Sequence, residues 1–149
     1  MLLLNSIERK YIAMNHVFID SNLWLYLFFG DNHDKCQSIK NLLSTCNKKN
    51  IIVVSFQVLN EVAFNLKRKG FTEEIIRKII KTLEETAVII DFSTDILLHA
   101  SNLRENHFFS YWDSLIVASA VAGKCKTLYS EDMQHNRNIE GLHIKNPFI

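Results

Sequence analysis

The sequence predicts an α/β domain built on a parallel sheet with helices covering both sides. Two observations predict it. Four short apolar runs, Val17 to Ile19, Ile51 to Val54, Val88 to Ile90 and Thr127 to Tyr129, have the length and residue types of strands. Between them, apolar residues recur every three or four positions, as a helix with one buried face requires. Strands alternating with helices assemble into parallel sheets through right-handed crossovers. With 149 residues and 48% hydrophobic content, one domain has enough apolar surface for a full core.

Taken in order, the first strand delivers Asp20, followed by Ser21 and Asn22. Either of those two would cap a helix beginning over Leu23 to Phe28. Gly30-Asp31-Asn32 makes a turn, and Cys36, Ile39, Leu42, Leu43 and Cys46 mark the inner face of a second helix, ended by Lys48-Lys49-Asn50. Ser55 caps a third, with Val58, Leu59, Val62, Ala63 and Leu66 inward. Gly70 stops it after Lys67-Arg68-Lys69, whose charges complement the helix dipole. Thr72, Glu73 and Glu74 open a fourth helix, with Ile75, Ile76, Ile79, Ile80 and Leu83 inward. The stretch from Thr94 to Glu105 is helical through Ile96, Leu97, Ala100 and Leu103. Asp113 to Ala122 is apolar on nearly every face and is predicted to lie buried, closed by Gly123. His143 to Lys145 reads as a weak fifth strand.

Composition narrows the function. A formal charge of +1 excludes a broadly basic coat for nucleic acid, so phosphate binding must come from local patches or metal. Cys36, Cys46 and Cys125 are odd in number and widely spaced, which suits reduced thiols in a cytoplasmic protein. No stretch approaches the roughly twenty apolar residues of a membrane span. Residues 1–15 are expected to be an N-terminal extension, with translation starting at Met14, and residues 16–149 a single domain. No Gly-rich phosphate loop or paired histidine spacing occurs.

Four acids stand where chemistry is expected. Asp20 and Asp132 each follow a strand's carboxyl end, where open α/β sheets place ligands. Glu61 lies on the third helix beside Val58, Val62 and Asn65 at helical spacing. Asp113 opens the most apolar helix. Each has a plainer explanation: Asp20 and Asp132 as caps, Glu61 as a solvated side chain, Asp113 as partner of Ser110 in a capping box. Their joint explanation is convergence on one crevice. Clustered carboxylates repel and stay partly protonated unless a cation intervenes. Oxygen ligands alone suit Mg²⁺ or Mn²⁺, which activates water and steadies phosphodiester charge.

The segments carrying these acids resemble the PIN-domain ribonucleases, and within them the VapC-type toxins of toxin–antitoxin pairs. They are Val17-Phe18-Ile19-Asp20-Ser21-Asn22, Ser55-Phe56-Gln57-Val58-Leu59-Asn60-Glu61, Ser110-Tyr111-Trp112-Asp113-Ser114-Leu115-Ile116 and Ser130-Glu131-Asp132-Met133-Gln134-His135. The resemblance implies a three-layer α/β/α sandwich and Mg²⁺- or Mn²⁺-dependent endonuclease action on RNA. It implies that Asp20, Glu61, Asp113 and Asp132 are catalytic and metal-binding, with Asn22 and Ser130 as polar support. It further implies a homodimer bound by a small antitoxin near the helix of Glu61 and Lys67 to Lys69. Asn136 stands where a glycine is expected; asparagine tolerates left-handed backbone, so the turn should survive. Lys67, Arg68, Lys69 and Arg104 are candidates for guiding the RNA backbone. Phe28, Phe29, Phe64, Phe71, Phe108 and Phe109 exceed what a small core must bury, so several are expected at the surface. Two other readings are a receiver-like domain phosphorylated on a strand-end aspartate and a PIN-fold module without catalysis.

Overall fold

The structure is a computed structural model that describes residues 5–6 and 14–149. The expected extension and the start at Met14 concern residues that lie largely outside those described. The chain runs β1 (Asn15–Ile19), α1 (Ser21–Phe29), α2 (His33–Lys49), β2 (Asn50–Ser55), α3 (Phe56–Lys69) and α4 (Glu73–Thr86). It continues through β3 (Val88–Ile90), α5 (Thr94–His107), α6 (Tyr111–Ala122), β4 (Cys125–Tyr129), β5 (Arg137–Ile139) and β6 (Leu142–Lys145).

The strands form one sheet in the order β3-β2-β1-β4-β6-β5, parallel except for the β5–β6 pair. From β1 the chain steps outward to β2 and β3, then returns across the sheet to β4. Right-handed crossovers in opposite directions place their helices on opposite faces. The packing agrees: α1 touches α2 and α3, α3 touches α4, and α5 pairs with α6. The result is the three-layer α/β/α sandwich. A rung of four side chains crosses its centre, Val53, Phe18, Leu128 and Ile144, all fully buried. Burial of each contributes about 1.5–3 kcal/mol.

Several expectations shift by local chemistry. The cap of α1 is Asp20 itself, whose carboxylate accepts from the Ser21 amide, so the helix starts at Ser21. The fifth strand is joined by a sixth: β5 and β6 form an antiparallel hairpin, making the sheet mostly parallel. Helix α6 starts two residues early because Ser110 accepts from the Asp113 amide. Of the six phenylalanines expected in excess of the core, only Phe64 and Phe108 are strongly exposed. Phe29 packs on Phe71 and Phe28 on Trp24, which covers both pairs. Instead Phe56, Phe92, Tyr111 and Trp112 lie at the surface. Other boundaries follow the sequence: Ser55 and Thr72 cap α3 and α4, and Gly70 ends α3 with φ 100. The three cysteines are free and buried. No helix among the described residues is long and apolar enough to cross a membrane.

Candidate active site

Neighbouring strands β1 and β4 carry connections that leave toward opposite edges of the sheet. That makes the space beyond their carboxyl ends the switch point, where parallel sheets open a crevice. Asp20 follows β1 and Ser130 follows β4. The ladder extends one step past the strands: the Asp20 amide donates to the Tyr129 carbonyl at 3.0 Å, and the Ser130 amide to the Lys145 carbonyl at 3.0 Å. Helices α1 and α3 begin at this edge directly from β1 and β2. Helix α6 runs back toward the start of β4, so its N-terminus lies here too. Three helix N-termini favour negative charge at the crevice.

The carboxylates are held by neutral donors. The two oxygens of Asp20 accept from the Ser21 amide at 2.7 Å and the Ser130 hydroxyl at 2.8 Å. Glu61 accepts from the Ser21 hydroxyl and, at 2.7 Å, from the Gln57 amide group one turn earlier. Ser21 therefore joins β1's aspartate to α3's glutamate, across helices that pack together. Asp132 accepts from the Asn22 amide group at 2.8 Å. Beside it, Glu131 takes the Tyr26 hydroxyl at 2.6 Å and the Lys35 ammonium, anchoring the loop after β4 to α1 and α2. Asn136 turns the chain toward β5 with φ 63, as expected of an asparagine in a glycine-like position.

Charge ties the four acids into one group. Burial pushes the Asp20 carboxyl up to about 6; Ser130 and Ser21 oppose the shift, while the charges of Glu61 and Asp113 add to it. Asp113 is also raised, by burial first, against the pull of the Ser110 hydroxyl, with Asp132 and Glu61 adding repulsion. Among the described residues none of the four has a cationic partner in an ion pair. The buried carbonyl oxygens of Asn22 and Gln57 lack hydrogen-bond partners among the described residues. An oxygen-rich, cation-poor crevice fits a hard divalent ion. No three carboxylate, imidazole or thiolate groups among the described residues form a ready-made ion cage. Mg²⁺ does not require one, since it is usually held by one or two carboxylates, retained waters and substrate phosphates.

The cationic candidates disperse. Lys67 pairs with Glu73 at 2.9 Å and Lys69 with Asp31 at 3.0 Å, near the far end of α3 from the crevice. Arg68 sits over the Phe64 ring. Arg104 stacks on Tyr111 and donates to the Ser114 hydroxyl at 2.8 Å. Sequence reasoning missed Ser21 and Gln57 as supports of Glu61. A signal existed for Gln57, which stands four residues before Glu61 on the same helix face.

The model of the PIN domain family matches residues 17–139. No curated protein sequence matches the chain. A chain of a toxin–antitoxin complex from Klebsiella pneumoniae is 21% identical with a TM-score of 0.67, covering 88% of this chain and 97% of its own. For VapBC2 from Rickettsia felis, bound to a fragment of promoter DNA, the values are 23%, 0.68, 88% and 98%. VapC20 of Mycobacterium tuberculosis, a sarcin–ricin loop cleaving toxin, is 17% identical with a TM-score of 0.62, covering 75% and 86%. At these identities the likeness concerns the fold.

Proposed function

Because this chain belongs to the PIN-domain family, we propose that it is a metal-dependent endoribonuclease and the toxin of a toxin–antitoxin pair. The observation that carries the reading is the convergence of Asp20, Glu61, Asp113 and Asp132 at the sheet's switch point, linked electrostatically and with no cationic side-chain partner among the described residues. Asp20 and Asp113 would hold Mg²⁺ or Mn²⁺, with Glu61 and Asp132 completing the acidic ring. The ion would supply a water of lowered pKa and stabilise charge developing at phosphorus. The chain's own groups prepare that chemistry. Ser21 and Ser130 fix both oxygens of Asp20, Gln57 and Ser21 fix those of Glu61, and Asn22 orients Asp132. Locked carboxylates need little reorganisation when substrate arrives. The structural neighbours, one from a toxin–antitoxin complex and one a sarcin–ricin loop cleaving toxin, support a nuclease with an antitoxin partner. A receiver-like phosphoacceptor leaves Glu61 and Asp113 without a role, and the family match weighs against it.

Purified protein is expected to cleave single-stranded or structured RNA with Mg²⁺ or Mn²⁺ and to stop in excess EDTA. Activity persisting at full rate in the chelator would overturn the metal-dependent reading; no cleavage with either ion would leave a binding module. The reading includes a homodimer in the cytoplasm. Sedimentation at micromolar concentration is expected to give the dimer mass, and a strictly monomeric boundary removes that part.

A further inference from the structure

The acids do not account for the aromatic surface beside them. A cavity of about 350 Å³ is lined by Gln57, Asn60, Glu61, Phe64 and Trp112. Glu61 belongs to the carboxylate group and lines this cavity, and Trp112 directly precedes Asp113, so the cavity adjoins the crevice. Its two largest side chains face water: Phe64 is 62% exposed and Trp112 63%. Beyond Trp112 a shallower hollow of about 480 Å³ continues over Tyr111, Phe92 and Leu97. Trp112 thus forms a ridge between two hollows, with the Tyr111 ring set edge-on at 5.2 Å. A contiguous exposed apolar patch of this kind marks an interaction site.

Charge selects the occupant. The Arg68 guanidinium lies 5.9 Å from the Phe64 ring centre and that of Arg104 lies 4.6 Å from Tyr111. Among the described residues neither guanidinium has a carboxylate partner. Exposed rings with a guanidinium against Phe64 and another against Tyr111, neither neutralised by a carboxylate among the described residues, match a single-stranded nucleic acid, whose bases stack while its phosphates meet the charges. An amphipathic peptide helix would lay its apolar face on the rings but would leave the two guanidiniums without the phosphates a nucleic acid supplies.

We propose that Trp112 and Phe64 form a stacking subsite for one unpaired base of single-stranded RNA, beside the phosphate to be cut. The proposal rests on the nuclease reading of the acids. Both aromatic residues are positioning residues, acting through the placement of substrate.

The test is steady-state cleavage of a short single-stranded RNA at saturating Mn²⁺ by the parent, Trp112→Ala, Trp112→Phe and Phe64→Ala. The alanine variants are expected to raise KM roughly five- to a hundredfold, the worth of one stacked base, with kcat falling less. Trp112→Phe should recover most of the loss. Leu98→Ala, which removes an exposed apolar side chain outside both hollows, should keep the parent KM. A second readout needs no turnover. Trp24 is buried, which leaves Trp112 as the solvent-facing indole. In Asp20→Asn, the same RNA should quench indole emission, whereas a fully abasic oligomer of equal length should not. A parent-like KM in Trp112→Ala, or equal quenching by the abasic chain, overturns the subsite. So does a Trp112→Ala protein that loses a protein partner but keeps its KM for RNA. A parent protein that cleaves no RNA fails the nuclease reading itself and removes the subsite with it, an outcome distinct from every variant comparison.

Discussion

Asp20→Asn is expected to cut RNA at least about a hundredfold more slowly, because even second-sphere partners of metal ligands are worth roughly 10- to 100-fold. Its stability should move the other way. The folded carboxyl titrates at about 6 against 3.8 for the free group. An acid with a raised folded pKa binds protons more tightly when folded, so stability falls as pH rises from about 4 through 6. Above that range the buried charge costs about 3 kcal/mol. Asparagine removes this cost but weakens one hydrogen bond, worth about 1 kcal/mol. In EDTA at pH 8 the variant should therefore melt roughly 5 °C higher than the parent. The gain should shrink as pH falls through 6 and turn into a loss of about 1 kcal/mol below about 4. Melting curves across that range, paired with cleavage at saturating Mn²⁺, check both halves. Parent-rate cleavage would return Asp20 to a purely capping role.

Asp113→Asn separates catalysis from capping on a different footing. Ser110 caps α6 by accepting from the backbone amide of residue 113, at 3.2 Å, which any side chain there preserves. The reciprocal bond of a capping box, from the Ser110 amide to the Asp113 carboxylate, does not occur among the described residues. The substitution should thus change stability in EDTA by less than about 1 kcal/mol. Relief of repulsion from Asp132 and Glu61 pushes the sign toward stabilisation. Cleavage should fall by about a hundredfold or more, as for other charge-stabilising groups. A clear loss of melting temperature in EDTA with parent-rate cleavage would assign Asp113 to structure alone.

The interior of this protein was legible because its strands are short uninterrupted apolar runs and its helices repeat at three and four residues. The hairpin partner Arg137–Ile139 was not, since a short edge strand need bury only Ile139. The cap of α1 was misread within Asp20-Ser21-Asn22, where all three residue types cap helices well. Position 21 is used to bridge two acids, a role decided by the packing of α1 on α3. The grouping of the four acids was legible because each stands at a strand end, at a helix start or in helical register with a buried stripe. Lys67 and Lys69 could not be judged, because their partners Glu73 and Asp31 lie across turns. Surface aromatics failed for a related reason: composition says how many rings exist, and only the fold says which pairs cover one another.

The pairing of β1 with β4 has a consequence in time. Asp20 meets Ser130, and Asn22 meets Asp132, each across 110 positions of chain. Closing so long a loop is entropically costly, and contacts of this separation form late in folding. A polypeptide still emerging from the ribosome carries Asp20 and Glu61 well before, and Asp113 one helix before, the strand that completes the crevice. The crevice therefore forms only after β4 has been made and has joined β1, and no shorter nascent stretch brings the four acids together.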